Sequence, residues 1–310
     1  MKKLLFILLL PFMGFSQEYP FKKDDVTVNE LLKGSLYTPS RANTKTDLVI
    51  IIAGSGMPDR DGNQQGMENN SLRLLAEGLA KNDIAAFSFD KRSIALKASG
   101  KLLENDMRFD DFIGDVKTII AYFRDKKQFG RIIIAGHSEG SLIGMVAANG
   151  NADAFISLAG AGRSIDQILE DQLAVPFADL KTEVHEDLQS LKNGKTFALK
   201  SPALGVIFRE SVQPYLISWI KYDPQAEIAK LNIPVLLVNG TRDMQVPVSD
   251  AELLKKAKPS AKLAIINDMN HVFKAVNSDD RAQNIATYSN PSLPLAPELL
   301  LRVNQFIKSL

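Results

Sequence analysis

The sequence predicts an α/β fold: a mainly parallel, doubly wound sheet with a helical cap inserted late in the chain. Three observations carry this. Short apolar runs at Leu48–Ala53, Ile84–Phe89, Ile132–Ala135 and Ala154–Leu158 alternate with helical patterns, and such alternation builds right-handed crossover units. The runs are apolar throughout, as strands are when helices cover both faces of a sheet. From Gly160 to about Leu231 the alternation gives way to a long, mostly helical stretch, and it resumes at Pro234–Asn239.

Residues 17–47 are polar, with strand-like pieces at Val26–Val28 and Ser35–Thr38 that read as an edge hairpin. The Leu48–Ala53 strand empties into a glycine-rich loop, Gly54 to Asn63. A helix follows over Ser71–Lys81, with Leu72, Leu75 and Leu79 on one face. After the Ile84 strand, Asp90 to Asp106 reads as a basic loop. Phe109 to Asp125 is a strongly periodic helix, with Phe109, Ile113, Val116, Ile120 and Phe123 at spacings of three and four. The inserted stretch carries Phe177, Phe197, Phe208, Tyr215, Trp219 and Tyr222, which as a group would line an apolar pocket and singly are core residues of the cap. A helix near Asp250–Ala257, a strand at Ala261–Asn267, a proline-rich linker at 290–297 and a helix over Glu298–Lys308 complete the pattern. The core therefore comprises residues 17–160 and 232–310, with the cap at 161–231.

The 310 residues are 45% hydrophobic and 24% charged, an ordinary globular composition. A net charge of +1 gives no basis for binding nucleic acid or an anionic membrane. No cysteine is present, which excludes disulfides, a thiolate zinc site, a cysteine nucleophile and a lipobox anchor. Met1 to Ser16 reads as a secretion signal: Lys2 and Lys3, then an apolar run, then Gly14-Phe15-Ser16 before Gln17. The run is shorter than the ~20 residues a spanning helix needs. The expectation is export to a periplasm or the exterior, with no stable membrane anchor after cleavage and a net charge of −1 once both lysines are removed. Asp59-Arg60-Asp61-Gly62-Asn63 suggests a calcium loop but fails the EF-hand pattern at Gln64 and Asn70. No metal or cofactor is expected.

The chemistry concentrates in Gly136-His137-Ser138-Glu139-Gly140, a G-x-S-x-G pattern between a buried strand and an apolar helical segment, Leu142–Ala148. A tight strand-to-helix turn of this kind holds a serine in a strained conformation and lifts its Oγ out of the sheet. A serine needs a base, and the chain has only three histidines. His137 sits in the turn, which should point it away from Oγ. His185 lies in a polar stretch of the cap and reads as a surface residue. His271 lies just past a strand, where catalytic groups gather on an open parallel sheet, and is the base by elimination and position. Asp243 follows the Pro234–Asn239 strand and would orient His271; Asp268, three residues from the histidine, is the rival. The tetrahedral oxyanion needs two donors. One should be the backbone N–H of Glu139, and the other that of Ser55 or Gly56. The Glu139 side chain reads as a solvent-side residue.

These residues resemble the α/β-hydrolase superfamily, in particular its secreted serine esterases with a helical cap, over roughly residues 35–310. Gly136–Gly140, Gly240-Thr241-Arg242-Asp243-x-x-Val246-Pro247 and His271 carry the resemblance, together with Gly54-Ser55-Gly56 and the Asp59–Gly62 loop. It implies hydrolysis of carboxylic esters of short or medium acyl chains through an acyl-enzyme, with Ser138 as nucleophile, His271 as base and Asp243 as orienter, acting on a small-molecule ester. Alternatives are a serine aminopeptidase, with Glu139, Glu170 or Asp171 holding a free amine, an acyltransferase, and a non-catalytic binding protein on the same fold. Two departures stand out. Ala53 precedes the oxyanion glycine where the family often has histidine, and Asp90–Leu96 lacks both glycines of the family's Asp-x-Arg-Gly-x-Gly-x-Ser turn.

Overall fold

The computed structural model describes residues 20–310, so the expected secretion signal, residues 1–16, lies outside the described residues. β1 (Phe21–Thr27) and β2 (Lys33–Pro39) form the antiparallel edge hairpin. β3 (Leu48–Ile52), α1 (Ser71–Ala80) and β4 (Ala85–Phe89) follow. The expected basic loop instead holds a helix, α2 (Arg92–Ala98). It is short and amphipathic over too few residues to show a period. Then come α3 (Phe109–Lys126), β5 (Ile132–His137), α4 (Glu139–Ala148) and β6 (Ala154–Leu158).

The inserted stretch contains α5 (Ile165–Leu173), α6 (Lys181–Lys192), α7 (Gly205–Phe208), α8 (Gln213–Ile220) and α9 (Pro224–Ala229). Helices α5 to α8 enclose their own apolar cluster, centred on Leu169, Leu188, Leu204 and Phe208. Helix α9 differs: its Ile228, with Leu231 behind it, packs into the core under the sheet. The chain ends through β7 (Val235–Gly240), α10 (Val248–Ala257), β8 (Lys262–Ile266), α11 (Arg281–Ala286) and α12 (Pro297–Lys308).

The eight strands form one sheet in the order β1-β2-β4-β3-β5-β6-β7-β8, with every pairing from β4 to β8 parallel. Side chains alternate between two cores. Leu48, Ile50, Ile52, Ile132 and Ile134 face α3, α4, α9 and α10, while Val49, Ile51, Ile133 and Ala135 face α1 and α12. Both layers are apolar, which explains why the strands show no period-2 pattern in the sequence. The chain steps from β3 outward to β4 and returns to β5 on the other side. The crevice beyond the ends of β3 and β5 is therefore the topological switch point, where ligands bind in open α/β sheets. The glycine-rich loop leaves β3 there, and the serine turn leaves β5 beside it.

Candidate active site

Ser138 is held at φ 55° and ψ −122°, a region side chains rarely adopt, and its N–H donates to the carbonyl of Leu158 at 2.9 Å. The turn closes only because its flanks are glycine. A Cβ on Gly136 would come within 2.1 Å of the Gly140 carbonyl oxygen, and one on Gly140 within 2.5 Å of the Ala53 carbonyl oxygen.

His271 comes from the loop after β8. Asp268, at φ 57°, turns the chain, and the loop is pinned by Val276 N–H to Asp268 O at 2.7 Å and Asn270 N–H to Lys274 O at 2.9 Å. Asn270 anchors it inward, donating to Asn284 Oδ1 and Thr287 Oγ1 and accepting from Lys274 N–H. Two further bonds tie it to the later chain: Ala296 N–H to Phe273 O at 2.7 Å and Lys274 Nζ to Leu293 O at 2.6 Å.

Nδ1 of His271 lies 2.8 Å from Oδ2 of Asp243, whose side chain is wholly buried. The other oxygen of Asp243 accepts the N–H groups of Gln245 and Val246 at 2.8 and 2.9 Å, which fixes the carboxylate plane. A carboxylate at that distance assigns the proton to Nδ1 and leaves Nε2 free to accept one. Asp268 instead faces Arg242 and is half-exposed. His185 is exposed and pairs with Glu170. His137 is buried. Its Nε2 donates to the backbone carbonyl of His271 at 2.9 Å, and desolvation, then the nearby His271 ring, pushes its pKa down to about 3.

Ser138, His271, Gly54 and Ser55 line one small cavity of about 170 Å³. It adjoins a larger one of about 730 Å³ lined by Ser138, Glu139, Ser55 and Gly56 below and by cap residues such as Leu169, Leu216 and Trp219 above. The residues singled out in the sequence thus gather at the sheet edge, with Asp243 behind His271.

The Glu139 side chain corrects the sequence reading: it is buried, not solvent-facing. Its Oε1 accepts the hydroxyl proton of Tyr215, from α8, and lies 3.5 Å from Nζ of Lys91. Burial and the Glu139 charge push the Tyr215 pKa well above its ordinary value. Lys91 is buried too; its Nζ donates to the Gly54 carbonyl at 3.0 Å and stands over the Phe112 ring. One ammonium therefore grips both the β3 loop and the side chain that follows Ser138. The reshaped turn at Asp90–Arg92 supplies three charges in three directions. Asp90 takes Arg60 of the β3 loop at 2.6 and 3.1 Å, Lys91 reaches inward, and Arg92 forks onto Asp115 with both bonds at 2.7 Å. Sequence reasoning missed Lys91, and it placed Tyr215 among the pocket aromatics without its bond to Glu139. A lysine at the inner end of an apolar strand was the available signal.

The aromatic cap residues divide. Tyr215 and Trp219 line the cavity, whereas Phe197 and Phe208 pack edge-to-face inside the cap, Phe177 joins that cluster, and the Tyr222 hydroxyl donates to Asp110.

Residues 35–257 match the model of the BD-FAE family, a span that includes Ser138 and Asp243 and ends before His271. Among curated proteins, esterase EstD of Thermotoga maritima is 26% identical over 264 residues, covering 81% of this chain and 60% of EstD. The chain thus spans 60% of that relative's length. Among solved structures, Est1E from Butyrivibrio proteoclasticus superposes with a TM-score of 0.58 at 17% identity, covering 93% of this chain and 98% of Est1E. The Pyrococcus furiosus esterase Pf2001 does so with a TM-score of 0.53 at 16% identity, covering 97% and 96%. At these identities the structural likeness speaks for the fold. With the family match over most of its length, the sheet order and the serine turn at the switch point, the chain belongs to the BD-FAE family and has the α/β-hydrolase fold.

Proposed function

We propose that this chain is a serine hydrolase that cleaves carboxylic esters through an acyl-enzyme on Ser138. The observation that carries the reading is the buried 2.8 Å bond between His271 and Asp243 beside the cavity that Ser138 lines. In the first half-reaction His271 Nε2 takes the proton of Ser138 Oγ as Oγ attacks the ester carbonyl. Asp243 stabilises the imidazolium that forms. The oxyanion is received by the N–H of Glu139 and that of Ser55 or Gly56. The imidazolium then protonates the departing alkoxide, and water repeats the sequence on the acyl-enzyme. The apolar 730 Å³ cavity would take a short or medium acyl chain.

Support comes from the esterase names borne by EstD, Est1E and Pf2001. Est1E has also been solved with ferulic acid bound, which places aromatic acids among the acyl groups to test here. The aminopeptidase reading needs an unengaged carboxylate for the substrate amine. Glu139 is bound by Tyr215 and Lys91, Glu170 by His185 and Asp171 by Arg163. Export through residues 1–16 belongs to the same proposal, and N-terminal sequencing of the released protein would test it.

The experiment is labelling with a fluorescent fluorophosphonate alongside a ladder of p-nitrophenyl esters, for the wild type and Ser138→Ala. Labelling and turnover that vanish together in the variant are expected. A folded wild type that neither labels nor turns over any ester would overturn the proposal.

A further inference from the structure

Beyond the cavity that Ser138 lines lies a second and larger one, of about 910 Å³. It lies between the β3 loop, α2 and the cap, and its wall is mainly apolar: Ile94, Ala98, Leu102, Met107 and Phe112. Lys97 and Arg209 also line it, and Arg209 is already paired with Glu104. The mechanism above makes no use of this space.

The two large cavities share Gly56, Gln64, Val212 and Tyr215. Gln64 lines all three cavities at this end of the sheet, including the small one between Ser138 and His271. They therefore meet over the β3 loop, where an ester carbonyl would be held. An ester has two halves that diverge from that carbonyl. The acyl half ends covalently bound to Ser138 Oγ and must occupy the cavity that Ser138 itself lines. The alcohol half leaves, and the remaining space belongs to it.

Resting on the esterase reading, we infer that the 910 Å³ cavity is the alcohol-binding site, and that the substrates are esters of large, uncharged apolar alcohols rather than methyl or ethyl esters. The charges at its wall do not call for an ionic alcohol: Lys91 is committed to Gly54 and Glu139, Arg209 and Glu104 pair with each other, and Lys97 lines the cavity from a solvent-exposed position where its ammonium stays hydrated. The chemistry is balanced as in ordinary ester hydrolysis. The C–O bond to the alcohol breaks, its oxygen takes the proton from His271, and water later supplies the acid hydroxyl.

The test holds the acyl group constant and varies the alcohol. Methyl, butyl, octyl and cyclohexylmethyl butyrates have alkoxide leaving groups of similar basicity, so differences report binding. At least about a tenfold rise in kcat/KM from methyl to octyl or cyclohexylmethyl is expected, since each buried methylene favours binding severalfold. Because all four esters pass through one butyryl-enzyme, kcat should converge where deacylation limits, and the discrimination should appear in KM. Ala98→Trp, on the exposed rim of α2, fills the cavity without entering the core. It should remove the preference for the large alcohols while methyl butyrate turnover and the melting temperature stay unchanged. Equal kcat/KM across the four alcohols in the wild type, or a preference that Ala98→Trp leaves intact, would overturn the assignment. Either result is distinct from failure of the esterase reading, in which no ester is turned over at all.

Discussion

His137 Nε2 donates to the backbone carbonyl oxygen of His271, 2.9 Å away, while its ring packs edge-on against Phe273 at 4.8 Å. One histidine thus fixes the main chain of the other. Replacement by phenylalanine keeps the ring but leaves a buried carbonyl unpaired, at a cost of about 1–3 kcal/mol. His137→Phe should lower the melting temperature and reduce kcat more than it raises KM. His137→Gln, which retains a donor, should recover part of both. Equal behaviour of the two variants in thermal melts and ester kinetics would refute the role.

The same group sets an acid limit. In the fold His137 stays neutral down to about pH 3, whereas an unfolded chain takes up the proton near 6.5. Between those values the unfolded state binds more protons, so stability is fully present above about 6.5 and falls as pH drops toward 3. Denaturant melts between pH 7 and 4 should show a slope that is shallower in His137→Gln.

Asp243→Asn should leave the loop intact, because the amide oxygen can still accept the Gln245 and Val246 N–H groups. It would present an amide to Nδ1 and select the wrong histidine tautomer. A fall in kcat of about 10⁴ is expected, with the melting temperature little changed. Steady-state kinetics with a single p-nitrophenyl ester would measure it.

Lys91 grips the Gly54 carbonyl and the Glu139 carboxylate at once, so Lys91→Met should loosen both sides of the proposed oxyanion site. The expected loss in kcat is about tenfold or more, below the roughly 10²–10³ that follows removal of a donor outright. The single variant also strands a buried carboxylate. The double variant Lys91→Met with Glu139→Gln should therefore regain melting temperature but not kcat. If stability and kcat return together, Lys91 is merely structural.

Lys274 is fully buried, with its amine on the Leu293 carbonyl, and desolvation lowers its pKa from 10.5 to about 8. Above pH 8 the folded amine is neutral while the unfolded one remains charged, so stability should rise with pH from about 8 toward 10. Melting temperatures of wild type and Lys274→Met across pH 7.5–9.5 should converge or cross as the wild type climbs.

Much of the frame was legible because β3, β5 and β7 are buried on both faces, and burial writes itself as unbroken apolar runs. Gly136, Ser138 and Gly140 were legible because a turn that tight tolerates few residues. Helix α2 was not, since its Arg92 and the Lys91 that precedes it read as surface charge until Asp115 and Glu139, both distant in sequence, are brought beside them. Glu139 failed for the same reason: its burial depends on a tyrosine 76 positions away. The cap aromatics mislead because a ring filling a cap core and a ring lining a cavity have the same sequence signature.

The loop bearing His271 is tied by Phe273 and Lys274 to Ala296 and Leu293. Those anchors lie more than 150 residues beyond the serine turn in the chain. A chain cut before Leu293 would keep the strained turn and lose the ties that seat His271, so proteolytic loss of that stretch should leave a partly folded product that, on the proposed mechanism, is chemically silent.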